Sequence, residues 1–310
     1  MSILFLNPVL KTTVWGGTRL KEYGYDLPSN KVGECWGISA HPNGDCEVAE
    51  GEYKGAKLST LWAEHRELFD NVKGEQFPLL TKIIAAEQDL SIQVHPDNDY
   101  AGKNENGSLG KMECWYVLDA DPNTNIIVGH NAQNDDELKS MIDNHQFKEL
   151  IRETPIKKGD FFQINPGTVH AIKGGTVILE TQQSSDITYR LYDYDRLDNG
   201  KLRELHLDKS KDVIVSPYKA PSLHPNGYKE TANKAFDELV NTEYYTVWKL
   251  ALNGEYKLIQ DQHFMLVSVV EGNGEINGHV VAKGSHFIIC SDEENVDLRG
   301  DMTLIISSVN

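Results

Sequence analysis

The chain has 310 residues, 39% of them hydrophobic and 25% charged, a globular composition long enough to bury a core without disulfides or structural metals. Its net charge of −17 argues against nucleic acid or an anionic membrane as the main partner, because both select basic surfaces. No uncharged apolar run reaches the roughly 18 residues of a membrane span, the start of the chain lacks the basic segment and cleavage site of a secretion signal, and Cys35, Cys46, Cys114 and Cys290 form no C-x-x-C pair, so a reduced, cytoplasmic protein is expected.

The first helical signal is Leu58 to Phe69, where Leu58, Leu61, Trp62, Leu68 and Phe69 make an apolar stripe. Short strands follow at Leu80–Ala85, Leu90–Val94, Cys114–Leu118 and Asn125–Gly129. From Asn134 to Arg152 the capping residues Asn134, Asp135 and Asp136 precede Leu138, Ile142, Phe147, Leu150 and Ile151, a pattern of two short helices. Strands resume at Phe161–Ile164, Thr176–Glu180 and Ile187–Tyr192, and a further turn or helix falls near Asp208–Val213. Strands recurring every 10–20 residues or so suit an antiparallel barrel or sandwich. From Ser216 to Lys234 the chain is polar, Pro-containing and nearly free of aliphatics, and a second all-β stretch begins near Tyr244. The expected division is therefore 1–215, a connection at 216–233, and 234–310.

Three clusters carry candidate chemistry. In Ser91–Asp99, Gln93 and His95 share strand parity and Pro96 ends the pairing just beyond. In Gly110–Ala120, Lys111 and Glu113 share a face by the same rule. In Lys158–Ile172 the turn Asn165-Pro166-Gly167-Thr168 delivers His170 to the next strand. Any one of these histidines alone reads as an ordinary structural residue. Two imidazoles and a carboxylate from separate strands form a divalent-metal set, with Gln93 a weaker fourth ligand. Zinc suits it best, and iron or manganese are not distinguished by N/O ligands.

The spacing Gly159, five residues, Asn165-Pro166-Gly167, two residues, His170 resembles the second metal motif of the cupin superfamily, with Asn165 where a proline is usual. The first cupin motif is altered to Gln93-x-His95, with its Glu, Glu113, displaced downstream. Ser91–Asp97, Gly110–Ala120, Asn165–Gly175 and Leu179–Arg196, with Trp15–Leu20 and Gly33–Ser39, together resemble the type I phosphomannose isomerases in their short bacterial form, over roughly residues 5 to 310. The resemblance implies a mainly β fold of two cupin (jelly-roll β-barrel) domains with a few inserted α-helices. The first would be catalytic, with one Zn²⁺ per subunit on Gln93, His95, Glu113 and His170. The second would be degenerate, and it offers only isolated His263 and His286.

The same resemblance implies reversible interconversion of mannose 6-phosphate and fructose 6-phosphate through a cis-enediol. That chemistry needs a polarised carbonyl, a base for the C–H proton and stabilisation of enediolate charge. It places Arg190 and Glu180 in the active site. Strand parity adds Lys111 beside Glu113, and puts Asp186 and Thr188 on the face of Arg190. Trp15-Gly16-Gly17 and Gly33–Ser39 are weak candidates for phosphate contact. Other cupin sugar isomerases, acting on free mannose or glucose 6-phosphate, and a non-catalytic sugar-binding cupin remain open on the residues alone. Oligomeric state is not encoded in any of these patterns.

Overall fold

The computed structural model describes residues 2–310. Its first half is two facing antiparallel sheets. One sheet of six strands runs in the order Phe161–Ile164, Glu113–Ala120, Thr176–Gln183, Leu79–Ala86, Val32–Ile38 and Val9–Gly17. The other, of five, runs Ile151–Pro155, Asn125–His130, His170–Ala171, Ile92–Val94 and Tyr189–Tyr192.

The central strands of the six-stranded sheet are buried on both faces, and alternation assigns the two faces to different cores. Ile84, Ala86, Trp115, Val117 and Ile178 face inward and pack with Ile126 and Val128 of the opposing sheet. Ile83, Ala85, Cys114, Tyr116, Val177 and Leu179 face outward into a second core.

That second core joins the two halves of the chain. The C-terminal strands Asp237–Asn241, Tyr245–Ile259, Met265–Ile276, His286–Ile289 and Asn295–Val309 form one large sheet. Trp248, Leu250, Val267, Phe287 and Ile306 fill its own interior, while Val247, Leu266, Ile288 and Ile305 pack against the six-stranded sheet. The molecule is thus mainly β, with two barrel-like halves and a few helices.

The structure departs from the expected 1–215 unit at the start of the chain. Ile3–Asn7 pairs with His286–Ile289 and with Glu47–Val48, so this first strand belongs to the C-terminal sheet. Its Leu4 and Leu6 enter the shared core while Ile3 and Phe5 pack on the C-terminal interior. Residues 216–233 contain no helix or strand.

Leu58–Glu64 is α-helical, and a separate 3₁₀ turn, Arg66–Phe69, continues the stripe after a break at His65. Trp62, Phe69, Phe77 and Phe264 form an aromatic cluster with ring centroids 5.3–6.3 Å apart, which ties this helical insertion to the C-terminal sheet. Asp135–Asp143 starts at Asn134, whose side chain accepts from the Glu137 N–H at 2.9 Å. A second helix, Phe147–Leu150, ends earlier than the periodicity suggests, because Ile151 opens a strand paired with Asn125–His130. Leu207–Val213 is helical. The helix Asn98–Asn104 has no sequence signal of its own kind: only Ala101 is buried, and it is set by the Asp97 cap rather than by an apolar stripe.

Phe264 is fully buried between the two halves. Phe264→Ala is expected to lower the unfolding free energy by about 3–5 kcal/mol, as a single shifted transition in chemical denaturation read by both fluorescence and circular dichroism. Two separated transitions would show that the halves are not one cooperative unit.

Candidate metal centre and its cleft

Gln93 sits in the strand Ile92–Val94, directly opposite His170. His95 follows the strand end, and Pro96 stops further pairing there. His170 opens the strand His170–Ala171 after the turn through Gly167. Gly167 has φ +81°, and a Cβ there would come within 2.7 Å of the Val213 carbonyl oxygen, so both conformation and space require glycine. Its N–H donates to the His95 carbonyl at 2.9 Å, which couples the two histidine-bearing segments. Glu113 begins the strand Glu113–Ala120, between Ile164 and Gln182 of its neighbours.

These residues converge. The Nε2 atoms of His95 and His170 are 3.1 Å apart. Glu113 places Oε2 at 3.4 Å from His95 Nε2 and Oε1 at 3.3 Å from His170 Nε2. All three side chains are essentially inaccessible to water. The Gln93 amide lies 3.2 Å from His170 Nε2, and turning that amide over presents its oxygen at the same place.

The protonation of the imidazoles is set from outside the cluster. His95 Nδ1–H donates to the Ile187 carbonyl and His170 Nδ1–H to the Thr168 carbonyl, each at 2.8 Å. Both Nε2 atoms are then lone pairs. Burial, aided by the charge of Lys111, pushes the His95 pKa down to about 3, and burial lowers that of His170. Burial opposes ionisation of Glu113, yet the Lys111 ammonium holds its carboxyl well below the usual range. Glu113 Oε1 and Oε2 receive no hydrogen bond of good geometry, although the Lys111 ammonium lies 2.6 Å from Oε2. Two nitrogen lone pairs and an ionised, under-satisfied carboxylate facing one another fit a divalent cation. Outer partners on Nδ1 are what a metal-bound histidine requires.

Beside this centre lies a cleft lined by Trp15, Glu34, Lys82, Gln93, Lys111, Glu180, Thr188, Arg190 and Arg203, among others. The Lys111 ammonium is 3.5 Å from Glu180 Oε1 and 3.2 Å from His95 Nε2. Glu180 is buried, accepts from Trp115 Nε1–H at 2.9 Å and lies 3.1 Å from Lys82, its cross-strand partner. Lys82 also approaches Glu34 at 3.9 Å. Sequence reasoning passed over Lys82, though a signal existed: one lysine inside Leu79–Ala86, a strand whose every residue is buried. A lysine in such a place must be paired.

Arg190 is held by Nη1–H donation to the Glu204 carbonyl at 2.8 Å and by Nε–H donation to Ser91 Oγ at 3.3 Å. It does not pair with Asp186. Asp186 is half-exposed and bound by Asn43 and, at 3.6 Å, by His41. Parity does not relate the two, because the strand begins only at Tyr189. The two Gly-containing segments considered for phosphate contact, Trp15-Gly16-Gly17 and Gly33–Ser39, lie largely within paired strands, and from them Trp15 and Glu34 reach the cleft.

Residues 3–118 match the family description "Phosphomannose isomerase type I, catalytic domain", and residues 236–309 match "Mannose-6-phosphate isomerase, cupin domain". The chain is 48% identical to the mannose-6-phosphate isomerase ManA of Bacillus subtilis over 98% of each chain. It is 46% identical to the mannose-6-phosphate isomerase of Streptococcus mutans over 99% of this chain and 98% of that one. This chain is a type I phosphomannose isomerase family member. A crystal structure of a mannose 6-phosphate isomerase from Bacillus subtilis superposes with a TM-score of 0.94 at 45% identity, covering 99% of both chains. A variant of the phosphomannose isomerase from Salmonella typhimurium shares the fold, with a TM-score of 0.79 at 16% identity over both full lengths.

Within this family member, the described residues gather one buried His/Glu/His group, in the first barrel. In the C-terminal cupin, His286 is buried between Ser268 Oγ at 2.8 Å and the Tyr25 hydroxyl at 2.9 Å, and His263 pairs with Asp70 near the surface.

Loss of an outer-shell partner typically weakens metal binding by about 10–100-fold, so loss of the carboxylate itself in Glu113→Gln is expected to weaken it by more than about 100-fold. The check is metal content after dialysis, read beside the melting temperature. A chelator is expected to strip the metal from the unaltered protein while far-UV circular dichroism stays native, because the cores described above do not depend on the ion.

Proposed function

We propose that this chain catalyses the reversible isomerisation of D-mannose 6-phosphate and D-fructose 6-phosphate, using one zinc ion per subunit held by Gln93, His95, Glu113 and His170. The supporting observation is the pairing of a dry, lone-pair-rich His/Glu/His group with a cleft that four cationic side chains line: Lys82, Lys111, Arg190 and Arg203. In a chain of net charge −17, a dianionic substrate needs such a local reversal of field. Bound zinc supplies electrophilic polarisation of the sugar oxygens.

The protein's own groups do the rest. One proton leaves C2 of the aldose and one arrives at C1, through a cis-enediol. Lys111 and Glu180 form the acid–base pair that carries this proton, with the Lys82 ammonium 3.1 Å from Glu180 Oε1. Arg190, fixed by Ser91 and Glu204, sets its charge against the developing enediolate. Asp186 acts on the approach to Arg190, tying that loop to Asn43 and His41. The first barrel is the catalytic unit, and the C-terminal cupin is its support. The four buried free thiols suit a reducing cytoplasm.

The test is a coupled assay over mannose 6-phosphate, glucose 6-phosphate and free mannose, with metal analysis of the purified protein. Turnover of mannose 6-phosphate that chelation removes and zinc restores is expected. Turnover confined to glucose 6-phosphate or free mannose would overturn the substrate, and no turnover with the metal intact would point to a binding protein. Arg190→Ala is expected to keep its zinc while kcat falls by at least about 100-fold, and a near-normal rate would remove Arg190 from the chemistry.

A further inference from the structure

Residues 108–112, which lead into Glu113, belong to no helix or strand. Lys111 therefore projects into the cleft from irregular backbone, which no β-ladder places. Side chains place it instead, together with two backbone bonds to neighbouring segments. Ser185 Oγ–H donates to the Leu109 carbonyl at 3.0 Å. Asn98 Oδ1 accepts from the Gly110 N–H at 2.8 Å and from Gln183 Nε2–H at 3.1 Å. Gln183 Oε1 accepts from the Met112 N–H at 2.9 Å, and the Gln183 backbone N–H donates to the Met112 carbonyl at 3.0 Å. The Lys111 N–H itself donates to the Pro96 carbonyl at 3.0 Å, next to His95.

The stretch is also pressed onto its support. A Cβ on Gly110 would lie 2.3 Å from the Asp97 carbonyl carbon and 2.5 Å from the Asn98 nitrogen. Gln183 is 4% exposed, and its amide touches neither the His/Glu/His group nor the cleft. It lies with Asn98 at the floor of a different groove, between the barrels, where Asn98 Nδ2–H donates to the Tyr244 hydroxyl at 3.2 Å. A buried amide with its hydrogen bonds satisfied has one orientation, and so it fixes the backbone it holds.

We infer that Gln183, together with Asn98, is a positioning residue for Lys111: the pair fixes residues 110–112 so that the ammonium stands between Glu113 and Glu180 and meets the sugar oxygens. This rests on the isomerase reading above. The neighbouring strand Thr176–Gln183 keeps its backbone pairing without the Gln183 side chain, so the expected loss is one of placement.

The test compares Gln183→Leu, Asn98→Ala and Asn98→Asp, assayed with mannose 6-phosphate and zinc. A misplacement of about 1 Å costs about 100-fold in rate, so Gln183→Leu is expected to lower kcat by at least about 30-fold. KM should stay within about threefold and one metal should remain bound, because substrate and zinc are held by other groups. Asn98→Asp keeps the oxygen acceptor and is expected to recover most of the kcat that Asn98→Ala loses. In a Lys111→Ala background, Gln183→Leu is expected to add less than about threefold, because it acts through Lys111. An unchanged kcat in Gln183→Leu, a full additive loss in the Lys111→Ala background, or loss of metal in step with activity would each overturn the assignment. Amide exchange at Met112 tests the tether without any substrate. Faster exchange in Gln183→Leu, with Cys114–Leu118 still protected, supports it, and unchanged exchange overturns it. If the unaltered protein turns over no sugar phosphate, the isomerase reading fails by itself while the exchange result still decides the tether. Should Gln183→Leu not fold, the Asn98 pair of variants carries the same comparison.

Discussion

Two hydrogen bonds outside the ligand cluster govern the site: the donations from His95 Nδ1 to Ile187 and from His170 Nδ1 to Thr168. They choose the tautomer of both rings, and that choice turns both Nε2 atoms into lone pairs aimed at one point. Two neutral imidazoles and an ionised carboxylate in a dry interior would repel one another without a cation. The same bonds tie the centre to the loop before Arg190 and to the turn through Gly167, so the ligands and the cleft are built on shared backbone.

Charge is compensated locally throughout. Glu113, Lys111, Glu180, Lys82 and Glu34 alternate in sign along the inner face of the first barrel, with successive separations of 2.6, 3.5, 3.1 and 3.9 Å. Each buried charge has an opposite neighbour, which is the condition for holding it in low dielectric. The cleft stays cationic despite the chain's strongly acidic balance because Arg190 and Arg203 join Lys82 and Lys111 against Glu34 and Glu180 in its lining.

The second half of the molecule bears on this site through packing. The six-stranded sheet has Lys82, Glu113 and Glu180 on one face and the shared core on the other. The C-terminal sheet, with Ile3–Asn7 added to it, covers that outer face. A sheet so supported on its back holds the charged groups on its front to fixed spacings. The C-terminal cupin retains barrel architecture while its His286 is spent on Ser268 and Tyr25.

Much was legible in the sequence. Short strands broken by turn residues, the stripe at Leu58–Phe69 and the capped segment at Asn134 specify local structure, because each depends on neighbouring residues alone. Family resemblance singled out Gln93, His95, Glu113 and His170, and the fold brings their side chains together. Parity failed where it was carried past a strand end, at Asp186. It was uninformative in strands buried on both faces, where inward and outward residues are equally apolar. Only the tertiary structure decided which face of Leu79–Ala86 meets the site, and so revealed Lys82. It alone showed that the first strand joins the C-terminal sheet and that Gln183 and Asn98 bond the backbone at Met112 and Gly110. Those contacts join residues far apart in the chain, and no local propensity encodes them.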